Sequence, residues 1–284
     1  MNRVNRPKIV GPLLLLAAML VRIPAFAQID FSGEWRQWVT QGETDVRIEE
    51  TGDYVGLPLN AEGRAGADNH NLSSWALPEY QCRPHPGMFY WRGAGENRIT
   101  KVVDPVSRET TAFRVERRRN FDQLVYLDGR PHPPEWAAHT WGGFSTGKWE
   151  GNMLTVTTTH LKDGYLGMNG VPASDQTTVT EHWIRQGNFL YIFEIITDPV
   201  YLSEPLVLSQ EYPLDLEQRL PVSPCVVIEE SPMPKGFVPH NLPGANKYRT
   251  DWVDRHHIPA EVLNDGAETM YPEYQSKLKK YSSK

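Results

Sequence analysis

Short apolar, β-branched and aromatic runs alternate with turn residues through the centre of the sequence, and this pattern constrains the fold most. Residues 98–103, 111–117 and 123–127 form one such series, with Asp, Pro, Gly and Asn between the runs. Runs of this kind predict strands. Because no long amphipathic helix separates them, we expect successive strands to be antiparallel neighbours.

The clearest hairpins follow in the next part of the chain. Residues 148–156 turn at Gly151-Asn152, and residues 177–184 and 189–197 flank a turn at Gln186-Gly187-Asn188. Tight turns of this type join antiparallel strands. With residues 31–38 and 206–212, we count about eight to ten strands. That number predicts an all-β fold, either an antiparallel barrel or, alternatively, a two-sheet β-sandwich.

The N-terminal segment has the layout of a secretory signal peptide. Basic residues precede the apolar run Ile9–Val21, and Ala25-Phe26-Ala27 precedes the expected cleavage site. The run has 13 residues, fewer than the roughly 20 of a membrane span. We therefore predict a signal peptide over 1–27, a periplasmic or secreted protein, and no stable membrane anchor.

The charge balance excludes nucleic acid as a partner. The full chain carries a formal charge of −6, and loss of the four basic residues within 1–27 changes it to −10. Nucleic-acid binding needs clustered Lys and Arg. The basic run Arg117-Arg118-Arg119 is short, and we interpret it as the solvated end of a hairpin. The sequence does not indicate an oligomeric state.

We predict a β-barrel domain over 28–230 and a Pro-rich, charged extension over 231–284. The extension should hold one short helix near 258–264 and a frayed tail. Long irregular segments at 56–97, 128–146 and 161–176 are rich in aromatic residues and should fold over one end of the barrel.

Two cysteines, Cys82 and Cys225, remain after maturation. An oxidising compartment favours a disulfide between them, whereas two buried thiols are the alternative. The sequence leaves both open.

Two resemblances bear on the fold. Gly33-Glu34-Trp35 resembles the Gly-x-Trp entry motif of lipocalin-like (calycin) barrels, which implies an antiparallel calycin-like barrel. The Arg that covers this Trp in such barrels is not identifiable in the sequence. Four further segments resemble a large family of exported bacterial proteins and imply one domain without a mechanism. They are Gly56–Arg64, Asp128-Gly129-Arg130-Pro131-His132-Pro133-Pro134, Gly147-Lys148-Trp149-Glu150-Gly151 and Asp198–Pro205.

Strand alternation suggests one catalytic pair. On the run ending at His160, side chains alternate between faces, so His160 shares the apolar face of Leu154 and Val156. The same rule places Glu181 with Trp183. A His and a Glu in one cavity could act as a general acid and base. Tyr165 and Asp175 would then lie at the rim. The alternative is a buried His and Glu with only a structural role.

A second cluster surrounds the segment 132–139. Its prolines suit the start of a short helix on which Glu135 and His139 are neighbours, with His132 just before it. Zinc binding, with His85 as a further ligand, is one hypothesis. The other hypothesis is a loop whose Trp136 and Trp141 pack on the barrel mouth. We assign no metal.

These observations predict binding of a small apolar or aromatic molecule in the barrel cavity. The expected ligand-contacting residues are His85, His132, His139, Trp141, Lys162 and Trp183. The alternative is a cofactor-independent lyase, hydratase or isomerase that uses His160 and Glu181. A structural or partner-binding role would follow if the interior were filled. No nucleotide fingerprint or Gly-x-Ser-x-Gly motif occurs, so we predict no cofactor.

Overall fold

The computed structural model describes residues 29–36, 51–89, 91, 96–117, 122–167, 169–217, 220, 224–228 and 233–281. The predicted signal peptide over 1–27 lies outside these ranges. Among the described residues, no helix is both long and apolar enough to cross a membrane.

Within the described ranges the chain is dominated by short strands. They are β1 (Gly33–Trp35), β2 (Asn97–Val103), β3 (Thr110–Arg117), β4 (Gln123–Tyr126), β5 (Phe144–Glu150), β6 (Met153–Thr159), β7 (Gly164–Tyr165), β8 (Pro172–Ala173), β9 (Thr178–Gln186), β10 (Phe189–Thr197) and β11 (Leu206–Pro213).

One sheet contains most of these strands. Its order is β1-β2-β3-β4-β5-β6-β9-β10-β11, while β7 and β8 form a separate hairpin. A bridge joins Trp35 to Leu214, and the amide of Arg36 donates to the carbonyl of Pro213 at 3.1 Å. These contacts bring the two ends of the sheet together. The sheet is therefore nearly closed and barrel-like. This agrees with the predicted barrel architecture and not with the alternative two-sheet sandwich.

The prediction of a wholly antiparallel sheet is wrong at one position. β4 and β5 are parallel, with Val125 opposite Ser145 and Tyr126 opposite Thr146. A parallel pair cannot be joined by a tight turn and needs a long crossover. Residues 127–143 form that crossover, which returns the chain to the end of the barrel where β4 begins.

Aromatic and aliphatic side chains fill much of the barrel interior. This first core consists of Phe31, Trp35, Trp91, Ile99, Phe113, Val115, Val125, Leu154, Val156, Trp183, Leu190, Ile192 and Tyr212. A second core lies at the end of β9 and β10 that carries Val179 and Ile196. There the long segments pack against the barrel through residues such as Leu59, Ala67 and Leu166. Two of the three long segments, 56–97 and 161–176, therefore cover this end of the sheet as expected, whereas no residue of 128–146 belongs to this core.

The segment 56–97 is more regular than the sequence indicates. It holds helix α1 (Ala61–Asn69), helix α2 (Pro78–Gln81) and 3₁₀ turns at Leu72–Ala76 and Gly87–Phe89. Asn60 caps α1, because its side-chain oxygen accepts from the amide of Gly63 at 2.9 Å. The helices are short and have little apolar periodicity, so their pattern is weak in the sequence.

The C-terminal extension also contains more helix than predicted. Helix α3 (Asp251–Arg255), 3₁₀ turns at Ala260–Asn264, Ala267–Met270 and Pro272–Tyr274, and helix α4 (Gln275–Tyr281) follow one another. The turn at Ala260–Asn264 confirms the expected helix near 258–264. The prediction of a frayed tail is wrong as far as Tyr281, because the chain is helical up to that residue. Lys277 pairs with Asp265 at 2.8 Å, and this contact holds α4 against the preceding turns.

Two of the family-like segments contact each other directly. The side-chain amide of Asn60 donates to the carbonyl of Val200 at 2.7 Å. A β-carbon on Gly63 would lie 2.4 Å from the carbonyl oxygen of Tyr201. Asp198 accepts from the side chains of Ser174 at 2.8 Å and Thr177 at 3.0 Å. These motif residues therefore have structural roles.

A disulfide joins Cys82 to Cys225, with 5.7 Å between their α-carbons. The structure thus favours the bridge over two free thiols. Beside it, the side chain of Gln81 exchanges two hydrogen bonds with the backbone of Ile228, at 2.8 and 2.7 Å. The bridge and these bonds attach the segment 224–228 to the end of α2.

Candidate functional site

The main cleft lies between β4 and the loop that leads into β5. It has a volume of about 340 Å³. The residues that line it are Asp122, Gln123, Leu124, Tyr126, His139, Thr140, Trp141, Gly142, Gly143, Phe144 and Lys162. It lies on the side of the barrel where the parallel pair of strands leaves room for the crossover loop.

Backbone bonds at Thr140 bring the cleft residues together. The amide of Thr140 donates to the carbonyl of His160 at 2.9 Å, and the amide of Lys162 donates to the carbonyl of Thr140 at 3.0 Å. Gly143 has φ +64°, and a β-carbon there would lie 2.6 Å from the carbonyl oxygen of Thr159. Only glycine permits this approach. His139, Trp141 and Lys162 are therefore held side by side.

Aromatic rings form much of the cleft wall. Tyr126 and Phe144 are stacked, with ring centroids 5.4 Å apart and an angle of 30° between their planes. They come from the two strands of the parallel pair. Trp141 adds an indole that is only partly buried. Such flat apolar surfaces with a few polar groups are typical of small-molecule sites.

Two cations contact the ring of Trp141. The guanidinium carbon of Arg83 lies 4.7 Å from the ring centroid, and the ammonium of Lys162 lies 5.0 Å from it. Cation–π contacts of this geometry are attractive. They orient the indole and place positive charge next to the cleft.

His139 has one fixed tautomer when neutral. Its Nδ1 lies 2.9 Å from the carbonyl oxygen of Leu161, which can only accept. Nδ1 therefore carries the hydrogen. The other ring nitrogen, Nε2, is then an acceptor in the neutral ring and a donor in the protonated one.

A chain of hydrogen bonds crosses the outer face of β5 and β6 beside this cleft. His132 contacts Thr146 Oγ1 through Nε2 at 2.8 Å and Thr159 Oγ1 through Nδ1 at 2.7 Å. Thr159 Oγ1 in turn lies 2.8 Å from Nδ1 of His160. His160 Nε2 lies 2.9 Å from the carbonyl oxygen of Pro134 and must donate to it.

These contacts place His160 away from its predicted position. β6 ends at Thr159, and His160 has φ +56°. Strand alternation does not extend through a residue in the left-handed region. The ring of His160 instead lies 5.1 Å from that of His139, and both of its nitrogens bond to loop and strand atoms.

Glu181 does face the barrel interior, as the alternation predicts. It is fully buried, and the indole Nε1 of Trp183 donates to its Oε2 at 2.6 Å. Glu194, also fully buried, is its cross-strand neighbour on β10. Burial raises the pKa of the Glu181 carboxyl, and the charge of Arg117 opposes this shift. The structure therefore separates Glu181 and His160 into two environments.

Two of the other predicted residues, Tyr165 and His85, lie together on either side of Trp75 and line one small pocket, whereas Asp175 lies apart from them. Tyr165 packs in an aromatic group, with its ring 4.9 Å from His70 and 5.5 Å from Trp75. Asp175 is exposed on the surface. His85 contacts Phe89 at 4.5 Å, and burial lowers the pKa of its imidazole. None of these three lines the main cleft.

The described residues do not provide the ligands that the zinc hypothesis requires. Among the residues that the structure describes, no three His, Cys, Asp or Glu side chains are grouped to hold a metal ion. Trp136 does not pack on the barrel mouth as expected, because 86% of its surface is exposed.

Sequence reasoning missed several residues around the cleft. Gln123 lines the cleft yet is buried, and its Nε2 donates to Ser145 Oγ at 3.0 Å. Its oxygen accepts from Arg117 at 2.9 Å. Arg117 is therefore an interior residue, with its guanidinium 4.5 Å from the ring of Trp91. The apolar alternation of β3 could have indicated this, because Arg117 shares the parity of Phe113 and Val115.

The cleft thus unites His139, Trp141 and Lys162 from the prediction with Tyr126 and Phe144, which the sequence did not reveal. No family model, curated protein or solved structure matches the chain.

Proposed function

We propose that the mature protein binds a small planar aromatic molecule in the cleft beside the parallel strand pair. The observation that carries the proposal is the convergence of Tyr126, Trp141 and Phe144 on a cleft of about 340 Å³. Pockets of roughly 300–1,000 Å³ that combine aromatic walls with placed polar groups suit such ligands. Here the polar part comes from Asp122, Gln123, His139, Thr140 and Lys162.

The proposal moves the ligand from the barrel interior to its side. Trp35, Trp91 and Trp183 are fully buried inside the barrel. These rings occupy space that an interior ligand would need, and a filled interior was expected to favour a structural or partner-binding role. Ligand binding is therefore proposed on the side cleft alone. The side cleft, by contrast, is open and holds three of the six residues expected to contact ligand.

We also propose that the protein acts outside the cytoplasm as a calycin-like barrel. The Cys82–Cys225 disulfide supports an oxidising compartment. The calycin-like identity is supported by Arg185, whose guanidinium lies 5.1 Å over the ring of Trp35. In calycin-like barrels an Arg covers the Trp of the Gly-x-Trp motif, and this Arg could not be identified from the sequence alone.

Binding of 2-naphthylmethanol, measured by isothermal titration calorimetry, tests the cleft. Trp141→Ala should weaken binding about tenfold or more, because burying a large apolar surface is worth roughly 1.5–3 kcal/mol. Trp136→Ala is the matched control, since this Trp is exposed and does not line the cleft. Equal affinity in the wild type and in Trp141→Ala would contradict the proposal.

Native mass spectrometry of the protein purified from its own host provides a direct readout. A mass retained by the wild type and by Trp136→Ala, but lost in Trp141→Ala, would identify the natural ligand. Retention in all three proteins would place the ligand elsewhere.

A further inference from the structure

We infer that the aromatic ligand of this cleft carries an anionic group, a carboxylate or a similar acid, which Lys162 binds. The inference rests on the proposed function and adds the chemical class of the ligand.

The first observation is the position of Lys162. Its side chain lines the cleft, and its ammonium lies 5.0 Å from the centroid of Trp141. Its backbone amide is bonded to the carbonyl of Thr140, so the start of the side chain is fixed. Across the described ranges, no carboxylate forms an ion pair with this ammonium. An aromatic ligand that enters the cleft beside Trp141 would therefore lie close to this cation.

The second observation is the state of the neighbouring charges. Asp122, which also lines the cleft, faces Arg114 at 3.9 Å. Arg130 lies over Tyr126, but its guanidinium bonds to Asp128 at 2.9 Å. Solvent screens the half-exposed pair of Asp122 and Arg114, as it does other surface pairs. Counted as pairs, Asp122 with Arg114 and Asp128 with Arg130 are neutral, so the charge of Lys162 is the one that no described carboxylate balances.

Arg83 increases the positive potential at the same indole. Its guanidinium lies 4.7 Å from the Trp141 centroid. Its acidic partner, Asp163, is 3.9 Å away and 79% exposed, so solvent screens that pair. A local excess of positive charge in a chain of net charge −6 favours an anionic ligand at this position.

His139 adds a compatible polar group. Because its Nδ1 hydrogen is directed to the carbonyl of Leu161, Nε2 is the nitrogen left for other contacts. A protonated His139 would donate a hydrogen bond from Nε2 to a carboxylate of the ligand. A neutral His139 would accept a hydrogen bond at Nε2 from a protonated carboxylic acid. Both states accommodate an acidic group beside Lys162.

Three probes with one ring system test the inference by calorimetry at low ionic strength. They are 2-naphthoate, 2-naphthylmethanol and 2-naphthylmethylammonium. We expect 2-naphthoate to bind about tenfold more tightly than the alcohol, since one charge-assisted contact of about 1.4 kcal/mol corresponds to that ratio. The ammonium should bind most weakly, and added salt should reduce the differences.

Lys162→Met should abolish the preference for the acid, so that 2-naphthoate and the alcohol bind with equal affinity. Continued binding of the alcohol shows that the variant is folded. Lys148→Met is the matched control, because Lys148 is exposed on β5 and does not line the cleft. It should retain the full preference for the acid.

The outcomes separate the two proposals. Equal binding of all three probes by the wild type would overturn the acid inference and leave aromatic binding intact. A preference for the acid that survives in Lys162→Met would overturn the role of Lys162. Failure of every probe to bind would contradict the proposed function itself.

Discussion

The indole nitrogen Nε1 of Trp183 donates a 2.6 Å hydrogen bond to Oε2 of Glu181, two residues earlier on the same interior face of β9. Both side chains are buried. A buried polar group without a partner destabilises a fold, whereas a paired one does not. The pair therefore allows a carboxyl to lie within an aromatic core.

Glu181→Gln should preserve the fold, because an amide oxygen can accept the same bond from Trp183. We expect its free energy of unfolding at neutral pH to stay within about 1 kcal/mol of the wild type. Glu181→Ala should lose about 2–4 kcal/mol, since it leaves a cavity and an unsatisfied indole. Urea unfolding measures both. Equal losses in the two variants would contradict this role for the bond.

The pH dependence of Glu181→Gln provides a second check. Burial raises the pKa of the Glu181 carboxyl above its ordinary value of 4.5. The unfolded chain therefore releases this proton at lower pH than the folded protein. The neutral carboxyl therefore stabilises the folded protein fully at a pH below its ordinary pKa. This stabilisation is lost as the pH rises through the higher pKa that the carboxyl has in the folded protein. Glu181→Gln should lack this part of the decline.

His70 should destabilise the protein in acid. Burial lowers the pKa of its imidazole from 6.5 to about 4. As pH falls from 6.5 to 4, the unfolded chain binds the proton first, so stability is lost through this window. At about 1.4 kcal/mol per pH unit, the loss is up to about 3 kcal/mol.

Urea unfolding between those pH values measures this effect. His70→Phe should flatten the decline, because it removes the titrating group and keeps a ring near Trp75 and Tyr165. His240→Phe is the matched control, since His240 is exposed. A decline of the same steepness in His70→Phe and in the wild type would assign the acid sensitivity to other groups, such as the partly buried His85.

The disulfide should stabilise the protein by restricting the unfolded chain. Its cysteines are 143 residues apart in sequence. Disulfides typically stabilise proteins by roughly 2–4 kcal/mol, and long loops lie at the upper end of this range. We expect Cys82→Ala to lose that amount in urea unfolding, and reduced wild type to match it. Thiol titration of the denatured, non-reduced protein should find no free thiol. Two titrating thiols would contradict the bridge.

Thr159 should hold the 131–139 loop on the sheet through its bonds to His132 and His160. Thr159→Val removes the bridging hydroxyl while keeping a β-branched residue on the strand. We expect faster amide hydrogen exchange in residues 131–139 and a loss of about 1–2 kcal/mol. Thr157→Val is the matched control on the same face of β6. Equal exchange in the two variants would show that the hydroxyl is not required.

Local patterns predicted the strands well, because alternation with a period of two depends only on neighbouring residues. The run 189–197 coincides with β10 at both ends, and 206–212 with all but the last residue of β11. Glu181 was placed correctly for the same reason. The rule failed for His160, where one positive φ ends the alternation, and a single residue's backbone conformation leaves no periodic pattern.

The candidate site depended on contacts between distant parts of the chain. His139, Trp141 and Lys162 were selected from the sequence as candidates, but their common location beside Tyr126 comes from the backbone bonds of Thr140. Arg117 was expected in solvent at the end of a hairpin, as charged residues usually are. Its strand parity is compatible with an interior position, and Trp91 and Gln123 provide the contacts that stabilise it there.

Local apolar patterning was enough to predict a strand-rich chain, the positions of most strands and the parity of their side chains. The parallel pairing of β4 and β5, and the cleft beside it, emerge only when the chain is folded. Strand direction depends on the path of the 127–143 crossover, and packing against distant residues sets that path, whereas the composition of the crossover does not.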